Sequence, residues 1–183
     1  MDTSELRLNI VSLDQTAKAL GDNISQVTNA IRNCHSQAEQ CRNTAAMIMN
    51  NAMSQEDASA ISRMADQANS YYARASYYES EASKLEGELQ GFKDQLRCHR
   101  EDYVYYKNEG ETMLQDLMIA ADKLVDISQQ IYGGQKAIQA LNNAKQKLTY
   151  TKSLIDACNS RIAWIDQVCG SGAGRPQKTL KRR

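Results

Sequence analysis

Apolar residues recur at alternating steps of three and four from the start of the chain. Leu6, Ile10, Leu13, Ala17, Leu20, Ile24, Val27, Ile31, Cys34, Ala38, Cys41, Ala45, Ile48 and Ala52 follow one another without a break. That spacing is the seam of a coiled coil, where every third or fourth side chain returns to one helix face. Asp2 and Glu5 sit where a capping pair would open the first helix.

The pattern breaks at Asn50–Asp57, with Ser54 as the expected N-cap and Glu56 and Asp57 near the positive end of the next helix. It resumes through Ala58, Ile61, Ala65, Ala68, Tyr72, Ala75, Tyr78 and Ala82, with one extra step of three between Ala75 and Tyr78, a local overwinding. It continues by way of Leu96, His99, Tyr103, Tyr106, Gly110, Met113, Leu117, Ala120, Leu124, Ile127 and Ile131. Gly133-Gly134 predicts a second turn, since each glycine costs about 1 kcal/mol inside a helix. The last seam runs from Ile138 through Leu148, Thr151, Ile155, Cys158, Ile162 and Ile165 to Cys169, and Gly170 ends it.

The expected fold is all-α. Elongated antiparallel coiled-coil hairpins use helices at about 3–52, 55–131 and 135–169, packing as a helical bundle or rod. Residues 1–106 form an N-terminal hairpin and 107–169 a C-terminal hairpin that shares the middle helix, while 170–183 is a disordered basic tail. The middle helix either runs through Lys107–Gly110 or bends at 108–110. Folding about Ser54 pairs residues whose numbers total about 109, so that Leu13 meets Leu96, Ala17 meets Phe92, Ile31 meets Tyr78 and Ile48 meets Ile61. Folding about Gly133-Gly134 gives totals near 268, with Ile127 against Leu141, Met113 against Ile155 and Tyr106 against Ile162.

A second apolar stripe flanks the C-terminal seam. It holds Leu114, Met118, Ala121, Val125 and Tyr132 on one helix, and Tyr150, Leu154, Ala157, Trp164 and Val168 on the other. A two-stranded hairpin buries only its seam, so this stripe demands a further partner: the N-terminal half or a second copy. Tyr71, Tyr77 and Tyr105 are placed outside the seam beside inward-facing neighbours, and tyrosine is enriched at protein interfaces. Met118, Val125, Tyr132, Leu154, Trp164, Tyr71, Tyr77 and Tyr105 are therefore the candidate interaction surface.

The chain carries 22 basic and 22 acidic residues, distributed unevenly. Arg175, Lys178, Lys181, Arg182 and Arg183 crowd the last residues without an acid, leaving an acidic helical body. Broad nucleic-acid binding by the body is disfavoured, and an electrostatic tether to nucleic acid or an anionic surface is expected of the tail alone. No apolar run approaches a membrane span. Five cysteines, four of them on seams, fit a reducing, cytoplasmic setting, with signal-less secretion as the alternative.

Cys98, His99 and Cys169 are zinc-type ligands, but a fourth is missing, and His35 has no acid–base partner. No catalytic residue, metal or cofactor is assigned. Gly21, Gly87 and Gly91 are either surface glycines or a notch for another backbone. The architecture resembles the signal-less helical hairpins of the type VII secretion families. Their Trp-x-Gly turn is absent, because Trp164 is followed by Ile165-Asp166 and no Trp occupies residues 50–54. The expected role is a non-enzymatic, self-associating scaffold or adaptor. A helical partner of a secretion system and a tail-dependent nucleic-acid-associated protein are the alternatives.

Overall fold

The structure is a computed structural model and describes residues 2–130 and 135–170. It contains three helices, α1 (Thr3–Met53), α2 (Ala58–Gln130) and α3 (Gln135–Cys169), and no strand among the described residues. α1 packs on α2 and α2 on α3, an all-α helical bundle. The Gly133-Gly134 turn, Tyr132 and the basic tail lie outside the described residues.

Local chemistry sets the helix ends. The Asp2 carboxylate accepts from the Ser4 and Glu5 amides at 2.8 Å each, and the Glu5 carboxylate accepts from the Asp2 amide at 3.4 Å. This is the reciprocal capping box expected of that pair. The Glu5 and Ser4 amides hold the Asp2 carboxyl below its usual range. Gly170, with φ of 71°, supplies the left-handed residue that stops α3.

The expected N-cap of α2 is corrected. Ser54 instead closes α1, its Oγ donating to the Asn51 carbonyl at 2.8 Å. Asp57 caps α2 by accepting from the Ser59 amide at 3.0 Å and the Ser59 hydroxyl at 2.9 Å. The two residue types cap equally well, and the acid gains further from the helix's positive end.

α2 passes through Lys107–Gly110 without interruption. Gly110 is a packing residue: a Cβ there would lie 3.0 Å from Ile155 and 3.5 Å from Leu6. The missing side chain lets α1 and α3 close on α2 at one level. Gly87 and Gly91 differ, since a Cβ at either meets nothing within 4 Å.

The chain divides into two compact units. One is Leu20–Asp94; the other joins the described parts of Met1–Ala19 and Gln95–Arg183. The discontinuous unit has three helices and a core of large side chains, with Leu6, Leu96, Tyr103, Cys158 and Ile165 fully buried. Thr151 is also fully buried, and its hydroxyl has no hydrogen-bond partner among the described residues.

The Leu20–Asp94 unit is a two-helix hairpin. Its buried residues are chiefly alanines at seven-residue steps, Ala38 and Ala45 with Ala52 on α1, and Ala68 and Ala75 with Ala82 on α2. Those steps continue through half-buried Leu89 to Leu96, Tyr103 and Gly110, so no extra step of three exists. Tyr71 rather than Tyr72 is the partly buried ring.

The α1–α2 register also differs from expectation. The total of 109 places Tyr103 opposite Leu6, yet Leu6 reaches Gly110, one heptad further on, and Thr3 Oγ contacts Met113 Sδ at 3.2 Å. Ile61, expected against Ile48, is exposed. Sliding two seams by a whole heptad restores the same apolar faces to contact, so periodicity cannot distinguish the two registers. The α2–α3 register falls closer to expectation: Gly110 rather than Met113 meets Ile155.

Candidate functional site

Three polar side chains, one from each helix, converge in the three-helix unit. Tyr103 is fully buried and its hydroxyl donates to Asp14 at 2.6 Å. Arg161 grips the same carboxylate through Nε at 2.8 Å and Nη2 at 3.3 Å. A buried tyrosine ring requires an acceptor for its hydroxyl, and a forked guanidinium matches a carboxylate edge to edge. Burial, then the Asp14 carboxylate, drive the Tyr103 hydroxyl's pKa upward, and burial pushes the Cys158 thiol up to about 11. Both groups hold their protons at neutral pH. A buried phenol whose proton is committed to Asp14 is a clamp between helices, not an acid or a nucleophile.

Further down the α2–α3 pair, Arg100 donates to Asp166 at 2.6 and 3.1 Å, and Arg97 donates to the Cys169 carbonyl at 3.3 Å. His99 lies 3.4 Å from Asp102 on its own helix, Cys98 is exposed and Cys169 is buried. Among the described residues no three His, Cys, Asp or Glu side chains gather as metal ligands. His35 faces Glu86 at 3.7 Å, and Arg42 pairs with Glu79 one heptad along.

Seven-residue steps sort the α2–α3 pair into two grooves. α1 fills the first: Thr3 touches Met113, and Asp14 holds Arg161, which shares its stripe with buried Leu154. Continuing the Met113 stripe beyond the capped start of α1 gives Ala120 and Ile127, both exposed. The second groove is marked by Arg97 on α2 and Asp166 on α3. Equal steps from these reach Met118 and Val125, and Ile138 and Lys145. Met118 and Ile138 are each 51% exposed, and Val125 is half-buried.

The candidate interaction residues therefore separate. Met118, Tyr77 and Tyr105 are exposed; Val125, Trp164 and Tyr71 are half-buried; Leu154 is buried in the core and unavailable as surface. Leu154 is covered because the unit has three helices, where a two-stranded hairpin would leave it open. Ile127 and Ile138, expected in the seam, are instead exposed, 43% in the case of Ile127. Past α1, α2 buries only what faces α3, and Ala121 takes the place expected for Ala120. Tyr77 and Tyr105 each meet the next ring edge-to-face, at 5.7 and 5.4 Å between centroids, while Arg74 lies 5.4 Å over Tyr71.

The Asp14–Tyr103–Arg161 clamp was not foreseen from sequence. The available signal was a tyrosine at a seam position, which obliges some polar group to lie within reach of its hydroxyl.

No described helix is long and apolar enough to cross a membrane. Compared with known protein families, with curated proteins and with solved structures, the chain gives no match.

Proposed function

We propose that this chain is a helical protein-interaction module, a scaffold or adaptor, and that it works through side chains its own fold leaves uncovered. One observation carries this reading. Met118, Ile119, Ile127 and Ile138 are all exposed, and all lie on the segments of α2 and α3 that α1 does not reach. Exposed apolar side chains scattered singly are ordinary, whereas Met118 and Ile138 flank one groove together and give it an apolar lining that can bind something. The two Tyr–Tyr edges at residues 77–78 and 105–106 add aromatic area of the type enriched at interfaces.

Photo-cross-linking in the native cell tests the reading. A photoreactive residue replaces Met118 or Ile127, and exposed Gln90 serves as the control. Adducts at 118 and 127 with none at 90 are expected. The absence of adducts at both apolar positions would overturn the interaction reading.

A further inference from the structure

The second groove of the α2–α3 pair, which no described residue covers, has properties that select its occupant. We infer that it binds a second copy of itself, with the two-fold axis running along the helices, so that α2 of one chain lies against α3 of the other. This rests on the interaction-module reading and names its partner.

Charge points to the copy. On α2, Asp122 adjoins the Met118–Val125 stripe, whereas Asp116 shares another stripe with Lys123 and Asp126 lies on the Ile119 stripe. On α3, Lys145 lies on the Ile138 stripe, whereas Lys147 shares the stripe of Leu154 and Arg161 and acts on Asp2 at the start of α1. A two-fold along the helices sets Asp122 beside Lys145, and the pairing is made twice by symmetry. A two-fold across the helices stacks α2 on α2 and loses it.

Register points the same way. Gly110 lies level with Ile155 and Arg100 with Asp166. Extending that antiparallel register brings Asp122 to about the height of Lys145, within roughly 3 Å at 1.5 Å per residue. Because the axis preserves height, Asp122 meets the partner's Lys145. Asp122 and Lys145 are both exposed, and Lys145 shares its stripe with Ile138.

Size is adequate for a reversible dimer. The segment past α1 is about 25 Å long and two helices, or about 20 Å, wide. Each copy then covers on the order of 500 Å², or about 1,000 Å² in total, at the lower limit of specific interfaces. Met118 and Ile138 supply its apolar centre. α1 occupies the opposite groove and leaves this approach open.

Sedimentation velocity of the full chain from about 1 to about 200 µM reads the outcome directly. The wild-type chain is expected to pass from monomer to dimer across that range. Met118→Asp weakens the dimer by about tenfold or more. Asp122→Lys and Lys145→Asp each weaken self-association, whereas an equimolar mixture of the two associates, as does the double variant. All these positions are exposed in the monomer, and circular dichroism at the lowest concentration checks that each variant folds.

A chain that stays monomeric throughout overturns the proposal, as does a dimer indifferent to Met118→Asp or unrescued by the mixture. Neither result removes the interaction module. That reading falls only if the photoreactive positions give no adduct with any protein.

Discussion

The two units solve one problem with different materials. The Leu20–Asp94 unit holds two helices together over alanines, while the discontinuous unit holds three over leucine, isoleucine and tyrosine. A buried alanine contributes about one methyl group, whereas a buried Leu, Ile or Tyr contributes about 1.5–3 kcal/mol. The third helix also covers a second face of α2. Stability is therefore expected to concentrate in the unit whose pieces are farthest apart in sequence. The alanine hairpin is more exposed to local opening, and its two unfilled helical glycines loosen it further.

Truncation in the large core gives the largest expected effect. Leu96→Ala, at a fully buried site, should cost about 2–5 kcal/mol in urea denaturation. A loss below about 1 kcal/mol would mean that the three-helix unit is not the stable one. Removing the clamp carboxylate comes next. Asp14→Ala strands the Tyr103 hydroxyl and should cost about 1.5–3 kcal/mol, against about 1 kcal/mol or less for the half-exposed Arg161→Ala. A double-mutant cycle with Tyr103→Phe should show coupling between residues 14 and 103. Simple additivity would reduce the clamp to an incidental contact.

In the alanine hairpin the expected sign reverses. Gly87→Ala with Gly91→Ala should stabilise by up to about 2 kcal/mol together, because both sites are helical with space for a methyl. Hydrogen exchange then measures the contrast itself. Amides near residues 100–106 should exchange about tenfold or more slowly than those near 70–85, and equal protection would erase the distinction.

The smallest expected effect is alkaline. Cys158 and Tyr103 have folded pKa values above their ordinary ones, so the native state keeps protons that the unfolded chain releases. Their contribution is complete below about pH 9 and declines as pH rises towards about 11 and beyond. Cys158→Ala should flatten the fall in stability between pH 8.5 and 9.5, on the order of 1 kcal/mol or less. An unchanged slope would remove the thiol from the account.

Local features were legible in the sequence because local chemistry decides them. The Asp2–Glu5 cap, the break after Met53 and the glycine stop at 170 each follow from a few adjacent residues. Register was not legible, because a heptad seam looks the same after a seven-residue slide, and Leu6 consequently meets Gly110. Near-misses at Ser54, Tyr72 and Ala120 share one cause: a nearby residue, Asp57, Tyr71 or Ala121, could fill the same role. The extra stripe through Leu154 did show that α3 needs two partners. Only the assembled fold shows that α1 is one of them and that Asp14 ties the three together.

That tie also sets an order of events during synthesis. Asp14 and Arg161 are 147 residues apart. At about 5–20 residues per second, Arg161 is made roughly 7–30 s after Asp14. The contiguous alanine hairpin can close while the chain is still growing. Leu6, level with Ile155, and Asp14, held by Arg161, complete their surroundings only when α3 is made, so the first residues synthesised are among the last to find their place.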